Sequence, residues 1–252
     1  MNKHELTNEN YFENDKYMSV SKWKGFNKCE VLGLAPFGEP SDAMLLGSYV
    51  DAYVEGTLED FKATHPEMIA SQGKNKGELK AVYKQTQEIC DYIDNNKVVQ
   101  QFLSGEKQTI MVGEIAGVPF KIKMDSYSKG IAITDLKILK TITDKNGEYY
   151  DFVIPYGYDV QLACYQEIVY QNTGEKLPCF LLPVTKESPI NSAVINLPQE
   201  ILNTALYKVE STIARMYEVK MKKEEPVPCG KCKICIENRT ETPIISFYDI
   251  SN

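Results

Sequence analysis

From Gln108 the spacing of apolar residues changes from a helical period to a period of two, which commits the middle of this chain to half-buried β-strands. TIMVGEIAGVPFKIKMDSY reads as two short strands split at Ala116-Gly117, with Phe120, Ile122 and Met124 alternating against Lys121, Lys123 and Asp125. Ser128-Lys129-Gly130 supplies a turn, and IAITDLKIL is the next strand. Helical spacing surrounds this block. Upstream, Val20 to Leu34 is a short mixed segment that ends in the Pro/Gly-rich loop APFGEP. Ser41 or Asp42 then caps a helix running through AMLLGSYVDAYVEGTLEDF. EMIASQGKNKGELK reads as an exposed, mobile loop, and AVYKQTQEICDYIDNN as a helix with Val82, Ile89 and Ile93 on its buried stripe.

Downstream, an acidic loop with Asn146-Gly147 leads into the helix YGYDVQLACYQEIVYQ. PCFLLPVT is a further strand, and LPQEILNTALYKVESTIARMYEVKMK a long helix that Pro226 and Pro228 bring to an end. Helices, a run of strands, a helix, a strand and a helix predict an α/β fold with a central mixed sheet flanked by helices. The 252 residues suffice for one domain, 1–252, with a core over about 41–220 and a cysteine-containing tail over 221–252.

Composition narrows the function classes. No run of 18 apolar residues occurs, so no membrane span is expected, and the polar, acidic N-terminus lacks a signal-type apolar stretch. A cytoplasmic location is the expectation. The net charge of −7 runs against a nucleic-acid partner, because phosphate binding rests on Lys and Arg. Bound cations at acidic ligands can reverse that sign locally. With Arg215 and Arg239 as the only arginines, lysines would have to line any DNA path, and sequence-specific base reading is not expected.

The period of two puts Asp135 and Lys137 on one face of their strand, and a tight turn brings Asp125 of the preceding strand alongside. Two carboxylates and an ammonium in reach of one another suit metal-dependent phosphodiester hydrolysis: the carboxylates fix one or two Mg²⁺ ions, and the lysine orients water or neutralises charge. The triplet alone also fits a solvated strand edge with a Lys–Asp surface pair, and Glu78-Leu79-Lys80 and Glu218-Val219-Lys220 repeat it in helical stretches. Simple alternation sets Asp125 with Lys121 and Lys123, but Asp135 with Ile131 and Ile133. A bulge or strong twist would have to aim them at one point. Two helices add groups in order along the chain. Gly47-x-x-x-Asp51-x-x-x-Glu55 stacks two carboxylates one turn apart beside a glycine that permits close approach, and Tyr158-x-x-Gln161-x-x-x-Tyr165 places Gln161 below Tyr165. A solvated acidic face and a core aromatic are the plainer readings of those helices.

Of seven cysteines, Cys229, Cys232 and Cys235 have metal-ligand spacing that favours Zn²⁺ or an iron–sulfur cluster; a reduced cysteine-rich tail is the alternative. Cys90, Cys164 and Cys179 lie in apolar contexts and read as buried structural residues.

Taken in order, these pieces resemble the RecB-like branch of the PD-(D/E)xK nuclease superfamily, and within it the phage and prophage exonucleases related to the nuclease domain of RecE. GEIAGVPFKIKMDSYSKGIAITDLKILK resembles that family's core hairpin, YGYDVQLACYQEIVY its glutamine helix and LLGSYVDAYVEG its first-motif helix. The resemblance implies a restriction-endonuclease-like core and an Mg²⁺- or Mn²⁺-dependent exonuclease acting on duplex DNA ends. Asp125 and Asp135 would bind metal with help from the Leu136 carbonyl. Lys137 would be the catalytic lysine, with Gln161 and Tyr165 positioning it or the DNA backbone. These families usually carry a His where this chain has Asp51; Asp51 or Glu55 would then serve as the metal ligand, and neither His4 nor His65 fits the position. SVSKWKGFNKCE resembles the segment that supplies a first cysteine to a [4Fe–4S] cluster, which implies Cys29 as the fourth ligand, although the last cysteine spacing is shorter here. A homo-oligomer suits an end-threading exonuclease, and a single-strand annealing protein is the implied partner in phage-type recombination. A structure-specific or nicking endonuclease, or a non-catalytic DNA-binding relative, are the other uses of such a fold.

Overall fold

The chain is seen here as a computed structural model, which describes residues 6–249 apart from Glu9 and Phe37; His4 and the Val82 side chain lie outside the described residues. Two short helices, α1 (Val20–Lys28) and α2 (Glu30–Leu34), come first, followed by α3 (Asp42–Glu55), α4 (Leu58–Thr64), α5 (Gln85–Asn95) and α6 (Lys97–Phe102). The strands β1 (Glu106–Ile115), β2 (Val118–Ser128) and β3 (Ala132–Leu139) form a meander. Then come α7 (Tyr158–Thr173), β4 (Cys179–Thr185), β5 (Ile195–Asn196), α8 (Gln199–Lys220) and α9 (Lys233–Glu237). The sheet order follows the chain, β1-β2-β3-β4-β5, antiparallel except for the parallel β3–β4 pair. That parallel pair needs a crossover, and α7 supplies it.

The expected turn at Ala116-Gly117 is a two-residue hairpin with positive φ at both positions (48° and 75°), the twist that matches flanking strands. The strands it joins, of 10 and 11 residues, are longer than the short ones expected. The helix expected over 43–61 is broken: Gly56 turns left-handed (φ 80°) and ends α3, and α4 restarts at Leu58. The segment read as mixed between Val20 and Leu34 is helical, with Ser19 capping α1 and Val20, Trp23 and Phe26 buried.

Two cores sandwich the sheet. One lies between the sheet and α1, α7 and α8, and includes Phe120, Ile122, Met124, Ile133, Leu162 and Leu181. The other packs Leu136, Leu182 and Val184 against α3 and α5, including Ile89 and Ile93. Cys90, Cys164 and Cys179 are buried thiols in these layers, as their contexts led one to expect.

β2 and β3 pair for only three residues, Ser126↔Thr134 to Ser128↔Ala132, and then diverge. The open edge of β2 is taken up by Met18, whose N–H donates to Pro119 O (2.8 Å) and whose carbonyl accepts from Lys121 N (2.9 Å). Lys121, on the strand face opposite Phe120, Ile122 and Met124, is buried beneath this segment and donates to the carbonyls of Tyr11 and Asn14 (2.6 Å to the latter). Buried Lys220 does the same for Tyr17 O at 3.0 Å. Burial, and then the neighbouring Lys220, push the Lys121 pKa down to about 8. Among the described residues no helix is long and apolar enough to cross a membrane.

Leu162 of α7 is fully buried in the first core. Leu162→Ala should cost about 2–5 kcal/mol of stability through lost transfer energy and a residual cavity. Urea unfolding checks it; a loss near zero would contradict this placement of α7.

Candidate active site

The divergence of β2 from β3 leaves a fork, and Asp125 sits in it one residue past the last ladder pair. The Leu136 N–H, beyond the ladder, donates to Asp125 Oδ2 (2.9 Å) instead of to strand backbone. On the other side, β1 and β2 pair at Lys107↔Ser126 and Thr109↔Met124 but not between, where Gln108 has a positive φ of 48° and its side-chain amide reaches Asp125 Oδ1 (3.4 Å). Met124 and Tyr127, three residues apart, both belong to the first core, so the alternation is broken between them. This local break is the twist that strict alternation required.

Lys137, next on the β3 face that carries Asp135, forms an ion pair with Asp135 Oδ2, lies 4.0 Å from Asp125 Oδ2 and donates to Leu136 O (3.0 Å). From α7, Gln161 Nε2 donates to Asp135 Oδ1 (2.8 Å) and to Tyr165 Oη (2.8 Å), and Tyr165 donates to Lys123 O (2.8 Å). Gln161 and Tyr165 therefore brace Asp135 against β2, a more specific task than the resemblance implied. Asp51 and Glu55 face the fork from α3. A Cβ at Gly47 would meet open space, so close approach is not what that glycine provides. His65 pairs with Glu67 (2.7 Å) near the end of α4 and takes no part.

The electrostatics are those of crowded anions. Burial raises the Asp135 pKa to about 7; Lys137 opposes the shift and Asp125 adds to it. Burial, then Asp125, push Asp51 well above the usual carboxylate range. Burial also raises Glu55, with Lys123 opposing and Asp125 adding. Burial works against the Lys137 ammonium, but Asp135 and Asp125 more than offset it and hold it charged. Asp135 Oδ2 is buried and, apart from the lysine charge pressed against it, has no well-directed hydrogen-bond donor. Three carboxylates gathered about the single ammonium of Lys137 fit a hard divalent ion. Asp51, Asp125, Asp135 and the Leu136 carbonyl are the oxygens that could hold it.

Several groups at the site were not singled out from sequence. Lys24 of α1 donates to Tyr156 O (2.8 Å) and interacts with Lys137 and Asp135; burial, then Lys137, lower its pKa to about 8. Lys24 and Lys137 both approach the Tyr158 ring (5.5 and 5.7 Å to its centroid). Lys107 is within electrostatic reach of Asp125. The position of Lys107 just ahead of the motif strands was an available signal for it; neither Lys24, far upstream in α1, nor the backbone of Gln108 left one.

A second constellation lies at the chain's ends. The Sγ atoms of Cys29, Cys229, Cys232 and Cys235 all lie within 4.8 Å of one another, and none is in a disulfide. The expected four residues are brought together, in an arrangement able to hold a metal. Neither arginine lines the fork: Arg215 pairs with Glu30 (3.0 Å) and Glu224, and Arg239 donates to Gly230 O (2.5 Å) beside the cysteines.

Without divalent ions, removing one crowded anion should help the fold. Asp51→Asn should raise stability, because burial and then Asp125 disfavour its charged carboxylate, and should shrink the rise in Tm that Mn²⁺ produces. Thermal melts with and without Mn²⁺ check both; an unchanged Mn²⁺ effect would remove Asp51 from the metal ligands.

The family described as "PDDEXK-like domain of unknown function (DUF3799)" matches residues 19–238. A crystal structure from Eubacterium rectale, of a protein named "Putative exonuclease", superimposes with a TM-score of 0.87 at 43% identity, covering 98% of this chain and 98% of that chain. No curated protein matches. The mixed sheet flanked by helices is thus a PD-(D/E)xK, restriction-endonuclease-like core, and family and neighbour together support a nuclease. The chain belongs to the DUF3799 family of PDDEXK-like domains.

Proposed function

We propose that this chain is a divalent-metal-dependent deoxyribonuclease that hydrolyses phosphodiester bonds at duplex DNA ends. The observation that carries the reading is the fork, where Asp125, Asp135 and Lys137 meet with Lys137 Nζ 4.0 Å from Asp125 and paired to Asp135. Asp125, Asp135, the Leu136 carbonyl and Asp51 would hold Mg²⁺ or Mn²⁺. When bound, such an ion supplies Lewis-acid polarisation of a phosphoryl oxygen and a water made acidic enough to attack near neutral pH.

The protein's own residues do the rest. Lys137, kept protonated by its carboxylate neighbours, places a donor at the mouth of the fork for a phosphoryl oxygen or the attacking water. Gln161 and Tyr165 fix the Asp135 carboxylate so that it need not reorganise as charge develops. Lys24, Lys107 and Lys123 surround the acidic centre and supply the cations for a DNA backbone that the net charge of −7 otherwise lacks. The preference for ends rests on the resemblance to RecE-related exonucleases and on the name of the Eubacterium rectale protein. The proposed setting is phage-type recombination with a single-strand annealing protein, and a homo-oligomer would help an acidic chain enclose DNA.

Linear and covalently closed circular duplex DNA incubated with Mg²⁺ test the reading. Linear DNA should disappear, circles should persist, and EDTA should stop the loss. Lys137→Ala and Asp135→Asn should each lower the rate about 100-fold or more while remaining folded by circular dichroism. Cutting of circles would replace the exonuclease with an endonuclease; wild-type rates in Lys137→Ala would sink the catalytic assignment.

A further inference from the structure

We infer that Cys29, Cys229, Cys232 and Cys235 bind a single tetrahedral metal ion of the zinc class, and that their geometry does not fit a [4Fe–4S] cluster. The cysteine resemblance implied the cluster; the sulfur positions argue otherwise. Cys29 Sγ lies 3.5 Å from Cys235 Sγ, and Cys229 Sγ lies 3.9 Å from Cys235 Sγ. No pair among the four exceeds 4.8 Å. Four thiolates about 2.3 Å from one ion at tetrahedral corners stand about 3.8 Å apart. A four-iron cluster places each thiolate on a different iron, with the iron–sulfide core between them. Sulfurs this close leave no room for that core.

The surrounding backbone is shaped for the smaller centre. Cys232 is the N-cap of α9 and Cys235 lies in its first turn, so the two are one helical turn apart. Gly230 takes a positive φ of 70°, and the turn it makes aims Lys231 N and Cys232 N at Cys229 Sγ (3.4 and 3.3 Å). Cys229 N points at Cys29 Sγ (3.5 Å). N–H groups directed at sulfur stabilise thiolate charge and orient the ligands. Arg239 holds the same turn through Gly230 O.

The position of Cys29 gives the centre a task that needs no redox chemistry. Cys29 joins α1 to α2, so one ion would fasten that joint to the C-terminal tail, beside the Arg215–Glu30 pair and the Val227 N–H donated to Glu30 (2.7 Å). α1 carries Lys24 to the fork, so the staple also anchors one wall of the candidate active site.

The test is made on the full chain, expressed with both zinc and iron supplied and purified without oxygen. Elemental analysis should find about one zinc per chain, without labile sulfide or visible colour. Exchange for Co²⁺ should give the intense visible bands of a tetrahedral cobalt thiolate. Cys235→Ser should lose most of the zinc, whereas Cys90→Ala, outside the cluster, should keep it. A brown chain with about four irons and four sulfides would overturn the inference, as would a native chain holding less than about a tenth of an ion. None of these readouts depends on DNA cleavage, so the nuclease reading and this one can fail separately.

Discussion

The hydrogen bond from the Leu136 N–H to the Asp125 carboxylate is the interaction around which the rest of the site is arranged. It forms because β2 and β3 stop pairing after Ser126↔Thr134. An unpaired strand N–H in that position would be costly, and a side-chain carboxylate satisfies it while its second oxygen accepts from the Gln108 amide (3.4 Å). Met18 repairs the open edge of β2 on the far side of the split, and two buried lysines, Lys121 and Lys220, hold its segment in place through backbone carbonyls. The N-terminal segment is thus part of what keeps the fork open.

Opening the fork has an electrostatic consequence. Asp125 lies near Asp135 and Asp51, and the one ammonium paired with them, Lys137, does not balance them. Asp51 and Asp135 respond with raised pKa values, which means that the metal-free fold carries unfavourable charge in its interior. A divalent ion bound there would relieve that cost, so under the proposed function stability and chemistry would depend on the same site. The acidic character of the chain, at first an objection to a nucleic-acid substrate, would under the proposed function be the means of collecting cations next to lysines 24, 107 and 123.

Much of this was legible in the sequence, where a residue's role depends on local spacing. The period of two located β1 to β3, Ala116-Gly117 located their turn, and Gln161 and Tyr165 were correctly placed one turn apart on α7. The convergence of Asp125, Asp135 and Lys137 could be read, as could the need for a break in alternation, but not the form of that break, a lost ladder pair and a left-handed Gln108. α1 went unread because Val20, Trp23 and Phe26 are separated by lysines, serine and glycine, a pattern that looks polar until α8 covers it. The burial of Lys121 was not legible, because it depends on the distant N-terminal segment around Asn14. The cysteines showed the reverse case: their spacing indicated a centre, and only the sulfur distances distinguished one ion from a cluster.

Diffraction from crystals soaked in Mn²⁺, recorded to reveal the metal's anomalous signal, tests the central claim most directly. A peak in the fork, about 2.0–2.2 Å from oxygens of Asp125, Asp135 and the Leu136 carbonyl, and absent from Asp135→Asn crystals, is the predicted result. A fork that stays empty at saturating Mn²⁺ in the wild-type protein would contradict it.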